Sequence, residues 1–251
     1  LFSLAYALAA LVAGLVREAG VPPIWCFAGI LAVSALLALG MRDAVPSDRT
    51  GEEDGTSSAA LPGLMVVLAG VIVLIAFTAE QATENWSALH LERAFGASAA
   101  EGAIGPAILG LTMGIGRLSG QEVVRRIAEG KLMQIAAALA AFGLLLAAFA
   151  PVQGLAYAGF AILGLGVSVI GPTALAWVGK TIPSRLRGAA ISRMVMIGYC
   201  GFFIGPPVIG FMAEAFGLRL ALAMMGGMLL CITAILVPAL RASARRAGVV
   251  A

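Results

Sequence analysis

Long apolar runs dominate this sequence and fix the solvent in which it can fold. Eight of them recur along the 251 residues, and hydrophobic residues make up 61% of the chain against 12% charged. A helix rises about 1.5 Å per residue, so runs of this length can cross a hydrocarbon layer of about 30 Å. The runs lack the alternation of apolar and polar residues that membrane β-strands show. The sequence therefore predicts an all-α, multi-pass membrane protein with spans at approximately 2–16, 24–41, 63–83, 102–120, 132–150, 155–178, 190–212 and 219–240.

Basic residues are distributed unevenly between the two sides of the predicted membrane. Eight spans place both ends of the chain on one side. Only Arg17, Arg93 and Arg219 fall on the opposite side, which leaves 13 of the 16 Lys and Arg residues on the side of the ends. The positive-inside rule then predicts that both ends are cytoplasmic. Topology accounts for the net charge of +3, and the scattered basic residues do not indicate nucleic-acid binding.

One long polar stretch divides the spans into two groups. Residues 42–62 mix both charges with Ser, Thr, Gly and Pro, which is typical of a flexible linker and predicts a cytosolic one here. Two spans precede it in residues 1–41 and six follow in residues 63–251. Every third span is almost purely apolar, whereas polar residues, Gly and Pro concentrate in the others. The apolar spans are predicted to be peripheral, because helices that line a water-filled path carry the polar positions.

The stretch "AFTAEQATENWSALHL" (76–91) carries Glu80 and Glu84 directly after an apolar run. The two carboxylates are four residues apart and so lie on one helix face. Either the span ends at about Ala79 and both are solvated at the outer rim, or the helix continues and Glu80 faces a central cavity in the outer leaflet. We favour the second for Glu80 as a proton or cation site, because burial penalises the charged form and so favours proton uptake.

Aromatic, histidine and cysteine residues are the other side chains with the capacity for chemistry. Trp177 and Tyr199 are candidates to line a substrate cavity, although aromatic residues also anchor helices at the interface. His90, the only histidine, is predicted to lie on the surface of an outer loop. The cysteines lie in separate spans without CxxC pairing and are predicted to be small core residues: Cys26, Cys200 and Cys231. The pattern predicts no metal site and no cofactor.

The arrangement of two spans, a linker and six spans resembles the major facilitator superfamily of secondary transporters without its first four spans. Three stretches carry the resemblance. "GRLSGQEVVRR" (116–126) resembles the short cytosolic loop motif of the family, and "RGAAISRMVMIGYCGFFIGPPVIGFMAEAFGLRLAL" (187–222) resembles its penultimate span. Residues 80–91 resemble the pattern E-x-x-x-x-D-W-S-x-x-Y-L of a group of bacterial inner-membrane permeases.

The resemblance assigns possible roles to further residues. Asn85 stands where the permease pattern has an acid, and His90 where it has a tyrosine, so Asn85 joins the two glutamates as a candidate proton or substrate residue. In the loop motif an acid is expected to pair with arginines and latch one transport state, yet Gln121 occupies its position. Glu122 is a possible replacement, and the remaining gate candidates are Arg117, Gly120, Arg125 and Arg126.

The resemblance implies that the chain is part of a longer transporter. Its residues would form the last two helices of an amino-terminal bundle and a complete carboxy-terminal bundle, with a small solute bound between the two bundles. The expected function is proton-coupled secondary transport in a bacterial inner membrane, with lipid, the solute and the missing helices as partners. The alternative is a signalling or assembly module that keeps the bundle without transport. An enzyme is not expected, since no nucleophile is placed with a base and no phosphate-binding loop is present.

Overall fold

A computed structural model describes residues 2–40 and 63–246, apart from the side chains of residues 121–125. The predicted linker at 42–62 lies outside the described residues. The described ranges form eight consecutive helical segments, the last of which contains a short π-helical stretch. They are α1 Phe2–Glu18, α2 Pro23–Gly40, α3 Gly63–Phe95, α4 Ala99–Arg126, α5 Glu129–Ala148, α6 Gln153–Thr181, α7 Ser184–Phe216, and α8 Leu218–Cys231 with Ile232–Leu236 and α9 Val237–Arg246.

Consecutive helices from α3 onward are antiparallel, so their termini gather at two ends of the bundle. We call the first the Gly96 end, because Gly96 lies in the turn between α3 and α4 and has a φ of 70° that favours glycine. The opposite end is the Pro183 end, named for the residue that precedes α7. It holds the start of α3, the turn between α4 and α5 and the end of α9.

Seven segments of the described chain are long and apolar enough to cross a membrane. The remaining segment, α1, has 17 residues. The prediction of an all-α membrane fold with about eight helices is confirmed. Several helices are longer than the predicted spans: α3 continues to Phe95 rather than ending at residue 83, and α7 begins at Ser184. Hydropathy locates the part of a helix that fits the lipid, whereas Glu, Gln, Ala and Leu extend the helix itself beyond that part.

Helix α3 lies at the centre of the packing. It contacts α4, α6 and α7, and its residues Met65 and Ile72 are fully buried. Helix α1 packs along α4, whereas no residue of α2 is buried within the described chain. Helix α5 packs on α6 and α8 and leaves Ile135, Leu139 and Phe142 exposed on one face. Helix α4 thus contacts both α1 and α3.

The contact between α3 and α7 requires a residue without a side chain at Gly201. A Cβ atom there would lie 2.5 Å from the backbone oxygen of Leu74. Backbone atoms cannot move aside as a flexible side chain can, so the two helices approach this closely only because position 201 is glycine. The small residues of α7 thus serve close packing against α3.

A reciprocal pair of hydrogen bonds joins α5 to the π-helical stretch. The amide of Val237 bonds to the carbonyl of Ile232 and so skips the carbonyl of Thr233, and Pro238 has no N–H to offer. Gln134 Nε2 donates to this Thr233 oxygen at 3.0 Å, and Thr233 Oγ1 donates to the Gln134 carbonyl at 2.9 Å. The side chain of Gln134 therefore satisfies a backbone acceptor that the π-helical turn leaves open.

The prediction that all three cysteines are core residues was wrong. Cys200 and Cys231 are exposed and Cys26 is half-buried in the described chain. Cys200 lies on the outer side of α7, where its Sγ donates to the carbonyl of Met196 within the same helix. Because a thiol has low polarity, cysteine can lie on a surface that faces lipid or another helix as well as in a core. Composition alone therefore did not distinguish buried from exposed cysteines.

Replacing Gln134 by Leu is expected to lower the free energy of unfolding by about 1–2 kcal/mol, because the Thr233 carbonyl is left without a donor. Thr233→Val removes a donor but leaves no orphaned backbone group, so its cost should be about 0.5 kcal/mol. Thermal unfolding of the protein in detergent micelles measures both. Equal costs for the two variants would contradict the assigned role of Gln134.

Gly201→Ala is expected to destabilise the protein by about 1–3 kcal/mol, because the added methyl group meets the α3 backbone. Gly227→Ala is the matched control, since a Cβ atom at Gly227 meets nothing within 4 Å. Alanine is the better helix former by up to about 1 kcal/mol, so the control should be neutral or stabilised. The same unfolding assay compares them, and a stable Gly201→Ala variant would show that α3 and α7 are not held this closely.

Candidate functional site

Glu80 lies in the middle of α3 and is almost completely buried, with 4% of its surface exposed. It follows Gly63 by 17 residues and precedes Phe95 by 15. At 1.5 Å per residue it is about 25 Å from one end of the helix and about 22 Å from the other. Glu80 thus lies in the middle of α3, and its predicted position in the outer leaflet stays a prediction. The helix continues for sixteen residues beyond Ala79, and Glu80 is buried rather than solvated at a rim.

The carboxylate of Glu80 is paired with Arg117 of α4. Arg117 Nη2 lies 3.2 Å from Glu80 Oε1, and Arg117 Nη1 donates to the Ser3 hydroxyl of α1 at 2.7 Å. One guanidinium thus joins three helices. Arginine suits this position because its several donors point in fixed directions and can serve two acceptors at once.

A second carboxylate lies one turn further along the same helix. Glu84 Oε2 accepts a hydrogen bond from Gln81 Nε2 at 2.6 Å, and the backbone carbonyl of Glu84 accepts one from the Tyr6 hydroxyl of α1 at 3.4 Å. Glu84 is half-buried, whereas Glu80 is buried. We call the group formed by Ser3, Tyr6, Glu80, Gln81, Glu84 and Arg117 the Glu80 cluster.

The Glu80 cluster holds two carboxylates against one guanidinium, so it carries a net charge of −1 when both acids are ionised. A charge buried among apolar helices is costly unless it is paired. The Arg117 side chain remains 36% exposed while that of Glu80 is 5% exposed. The ion pair therefore has one buried partner and one partner that is partly exposed within the described chain.

Two of the predicted site residues depart from their predicted settings. Arg117 was predicted to act in the cytosolic loop motif, but α4 continues nine residues beyond it to Arg126, and its guanidinium lies among α1, α3 and α4. Asn85 is exposed and donates to the Gln81 carbonyl at 2.7 Å within α3. Its side chain is therefore occupied by its own helix rather than joined to the Glu80–Arg117 pair.

The two aromatic candidates lie away from the cluster, in different places. Trp177 is buried near the Pro183 end, where it lines a pocket with Lys131 and Arg241. Tyr199 is 52% exposed on α7 and stacks with Phe77 of α3, with 5.8 Å between ring centroids. The structure thus places Tyr199 on an open aromatic face and brings neither residue to Glu80.

His90 was predicted to lie on an outer loop, and this was wrong. It is 2% exposed within α3, and its Nε2 donates to the carbonyl of Ala147 near the end of α5 at 3.2 Å. Phe95 and Phe160 meet its ring edge to face. His90 is therefore a core residue that links α3 to α5 through a hydrogen bond of its ring nitrogen.

The remaining gate candidates lie at the Pro183 end of α4. Gly120 is buried against Val169 of α6, and Arg126 is exposed. Residues 121–126 are helical, but the side chains of Gln121, Glu122 and Arg125 lie outside the described part of the chain. The proposed latch through these residues stays a prediction.

Sequence reasoning missed Ser3 and Tyr6 as members of the site. Both belong to α1, three residues apart and therefore on one helix face, and Ser3 is buried. They are the two polar side chains in the first half of an otherwise apolar span, and this pattern was the available signal. Their partners lie more than 75 residues away in the sequence, so pairing them required the fold.

A multi-pass helical bundle with a paired charge buried at mid-helix is an arrangement typical of proteins that move ions or solutes across membranes. The chain belongs to the Major Facilitator Superfamily, whose sequence profile matches residues 71–249.

Bacterial relatives agree with this assignment. The chain is 32% identical to the membrane protein MosC of Rhizobium meliloti over 194 residues, which cover 77% of this chain and 46% of MosC. It is 29% identical to an "uncharacterized MFS-type transporter" of Yersinia pestis, covering 67% of this chain and 44% of the relative. It is also 29% identical to the "uncharacterized transporter y4wD" of Sinorhizobium fredii, covering 75% and 50%.

The chain spans about half the length of these relatives. The family match and the two relatives with transporter names support membrane transport and point to a transporter rather than an enzyme. The protein is accordingly a multi-pass integral membrane protein in a lipid environment, and its relatives are bacterial.

Arg117→Gln is expected to destabilise the protein by about 3 kcal/mol at neutral pH, because Glu80 is left as a buried, unpaired charge. The penalty should shrink in acid, where protonation neutralises Glu80. The double variant with Glu80→Gln should be more stable than Arg117→Gln alone. The free energies of unfolding of the three variants are measured in detergent at neutral and at acidic pH. A direct ion pair would be contradicted if the costs of the two single substitutions simply added in the double variant and did not change with pH.

Proposed function

We propose that the protein carries out secondary active transport of a small solute by alternating access, coupled to protons at Glu80. In this proposal residues 1–41 are the last two helices of an amino-terminal bundle, 42–62 form a linker, and 63–251 form the six-helix carboxy-terminal bundle. Further helices of the same transporter would supply the other half of the cavity. The bacterial relatives and the basic-residue asymmetry favour an inner-membrane location with both ends of this chain cytoplasmic.

The observation that carries the proposal is the buried Glu80–Arg117 pair with its bond to Ser3. Proton uptake by Glu80 removes its charge and weakens its attraction for Arg117. Arg117 also holds α1, which the proposal assigns to the other bundle. Neutralising Glu80 would therefore change the contact across which the two bundles move, and this is what coupling of proton binding to access requires.

Two exposed surfaces suggest a route for the solute, one at Arg117 and one on α3 and α7. The exposed part of Arg117 offers a positive group, and Tyr199 with Phe77 and Phe202 forms an aromatic face along α3 and α7. Glu84 and Asn85 also belong to α3 and are half-buried and exposed, respectively. We propose that the solute contacts these surfaces and that Tyr199 faces it.

Polar contacts at the Gly96 end favour a state in which that end is closed. Arg17 makes two bonds to the Glu92 carboxylate, at 2.6 and 2.9 Å. Glu18 accepts bonds from Ser98 Oγ at 2.9 Å and from the backbone N–H of Ala100 at 2.8 Å. These exposed bonds are individually weak, so they can break during a transport cycle. The opposite end would then be controlled by the motif around Gly120, with Glu122 as the acid of the latch.

Proton flux in proteoliposomes tests the proposal. The full-length protein is reconstituted with an interior pH dye, and sugars, amino acids, organic anions and organic cations are added in turn. Solute-dependent proton movement is expected for the wild type and should be lost in Glu80→Gln. Glu80→Gln should still exchange labelled solute across the membrane, because exchange needs alternating access without net proton movement.

Glu214→Gln is the matched control, since Glu214 is an exposed acid of α7. It should keep both proton flux and solute exchange. Equal proton flux in wild type and Glu80→Gln would contradict the assignment of Glu80. An absence of both activities with every solute would contradict transport and favour a signalling or assembly module.

A further inference from the structure

A pocket of about 470 Å³ lies at the Pro183 end, away from the Glu80 cluster. The start of α5, the last part of α6 and the end of α9 form its walls. The residues that line it are Ala128, Glu129, Gly130, Lys131, Trp177, Arg241, Ala244 and Arg245. The proposed transport mechanism uses none of them.

Positive charge predominates around this pocket. Lys131, Arg241 and Arg245 line it, and the one acid of its lining, Glu129, is bonded to Lys180 at the end of α6. Within the part of the chain that the structure describes, the three lining cations have no hydrogen bond or ion pair with a carboxylate. The pocket with Lys180 thus has a net charge of +3, from four cations and one carboxylate.

Arg241 is held against the first turn of α5. A Cβ atom at Gly130 would lie 2.5 Å from Arg241 Nε, so the guanidinium rests directly on the helix backbone at that point. No side chain caps this helix start at Ala128. The amino end of a helix carries a partial positive charge, which repels cations and attracts anions. Glu129 of the first turn supplies one carboxylate, which leaves an excess of positive charge that a further anion would balance.

The depth of the pocket indicates where the anion comes from. Trp177 lies four residues before the end of α6, and Arg241 and Arg245 lie in the last two turns of α9. Tryptophan is enriched at the boundary between hydrocarbon and headgroups, and basic pockets between membrane helices bind phosphate-bearing lipid headgroups. A pocket at these helix ends is expected at the level of the lipid phosphates.

We propose that this pocket binds a phosphate group, with Arg241, Arg245 and Lys131 as its cationic contacts and Trp177 as its apolar wall. The phosphate can belong to the headgroup of an anionic lipid or to a soluble phosphate. Both sources present the same chemistry to the three cations, and they are separated by experiment.

The test measures binding to the full-length protein purified in detergent and freed of bound lipid. Phosphatidylglycerol, phosphatidylcholine and inorganic phosphate are titrated separately, and the midpoint of thermal unfolding reports binding. An increase with phosphatidylglycerol alone identifies the lipid source, and an increase with inorganic phosphate as well identifies a soluble source. Either result supports the phosphate site if the variants below weaken it.

The double variant Arg241→Gln and Arg245→Gln should weaken binding about thirtyfold, because it removes two charges from the site. Arg185→Gln with Arg187→Gln is the matched control, since both are exposed residues of α7 at the same end and outside the pocket. It should bind as the wild type does. Lys131→Gln alters one exposed side chain and should weaken binding about fivefold.

The proposal is overturned if neither phosphatidylglycerol nor inorganic phosphate raises the unfolding midpoint of the wild type. It is also overturned if the pocket variants and the Arg185/Arg187 control lose binding equally, since that would indicate a diffuse surface charge. If the double variant does not fold, Lys131→Gln alone decides between these outcomes. Transport activity plays no part in the measurement, so its result is independent of the transport proposal.

Discussion

The buried charge of Glu80 is the constraint on which the centre of this structure depends. An unpaired carboxylate at mid-helix would be costly in an apolar bundle, so α4 must present Arg117 at the same depth. Arg117 in turn needs a second acceptor, and Ser3 of α1 provides it. Arg117 therefore links the contact of α1 with α4 to the contact of α4 with α3. Any process that neutralises Glu80 acts on all three helices.

The two charged regions of the molecule differ in how their charge is balanced. The Glu80 cluster has an excess of negative charge, and its ion pair lies between helices that the lipid surrounds. The pocket at the Pro183 end has an excess of positive charge and lies at the ends of the helices. Charge inside the membrane is rare and points to function, whereas charge at its boundary can be matched by headgroups. Under the two proposals, their separation would let one region respond to protons and the other to phosphate.

The sequence identified the class of fold and the residue at the centre of the site, but not the partners of that residue. Glu80 could be found because an acid within an apolar stretch departs from its surroundings. Arg117 was assigned to a loop motif, and Ser3 was overlooked, because both pairings join residues far apart in the chain. His90 was misplaced because hydropathy does not show where a helix ends. Gln134 and Thr233 were visible as isolated polar residues, yet only the fold shows that they bond to each other.

Infrared difference spectroscopy tests the central claim that Glu80 takes up a proton. Spectra of the full-length protein in membranes are recorded in acidic and neutral buffer, and the carbonyl stretch of protonated carboxylic acids is compared. The account predicts that one component of this band appears in acid for the wild type, is absent in Glu80→Gln, and is retained in Glu214→Gln. A Glu80→Gln spectrum that matches the wild type would show that Glu80 does not change protonation and would contradict the account.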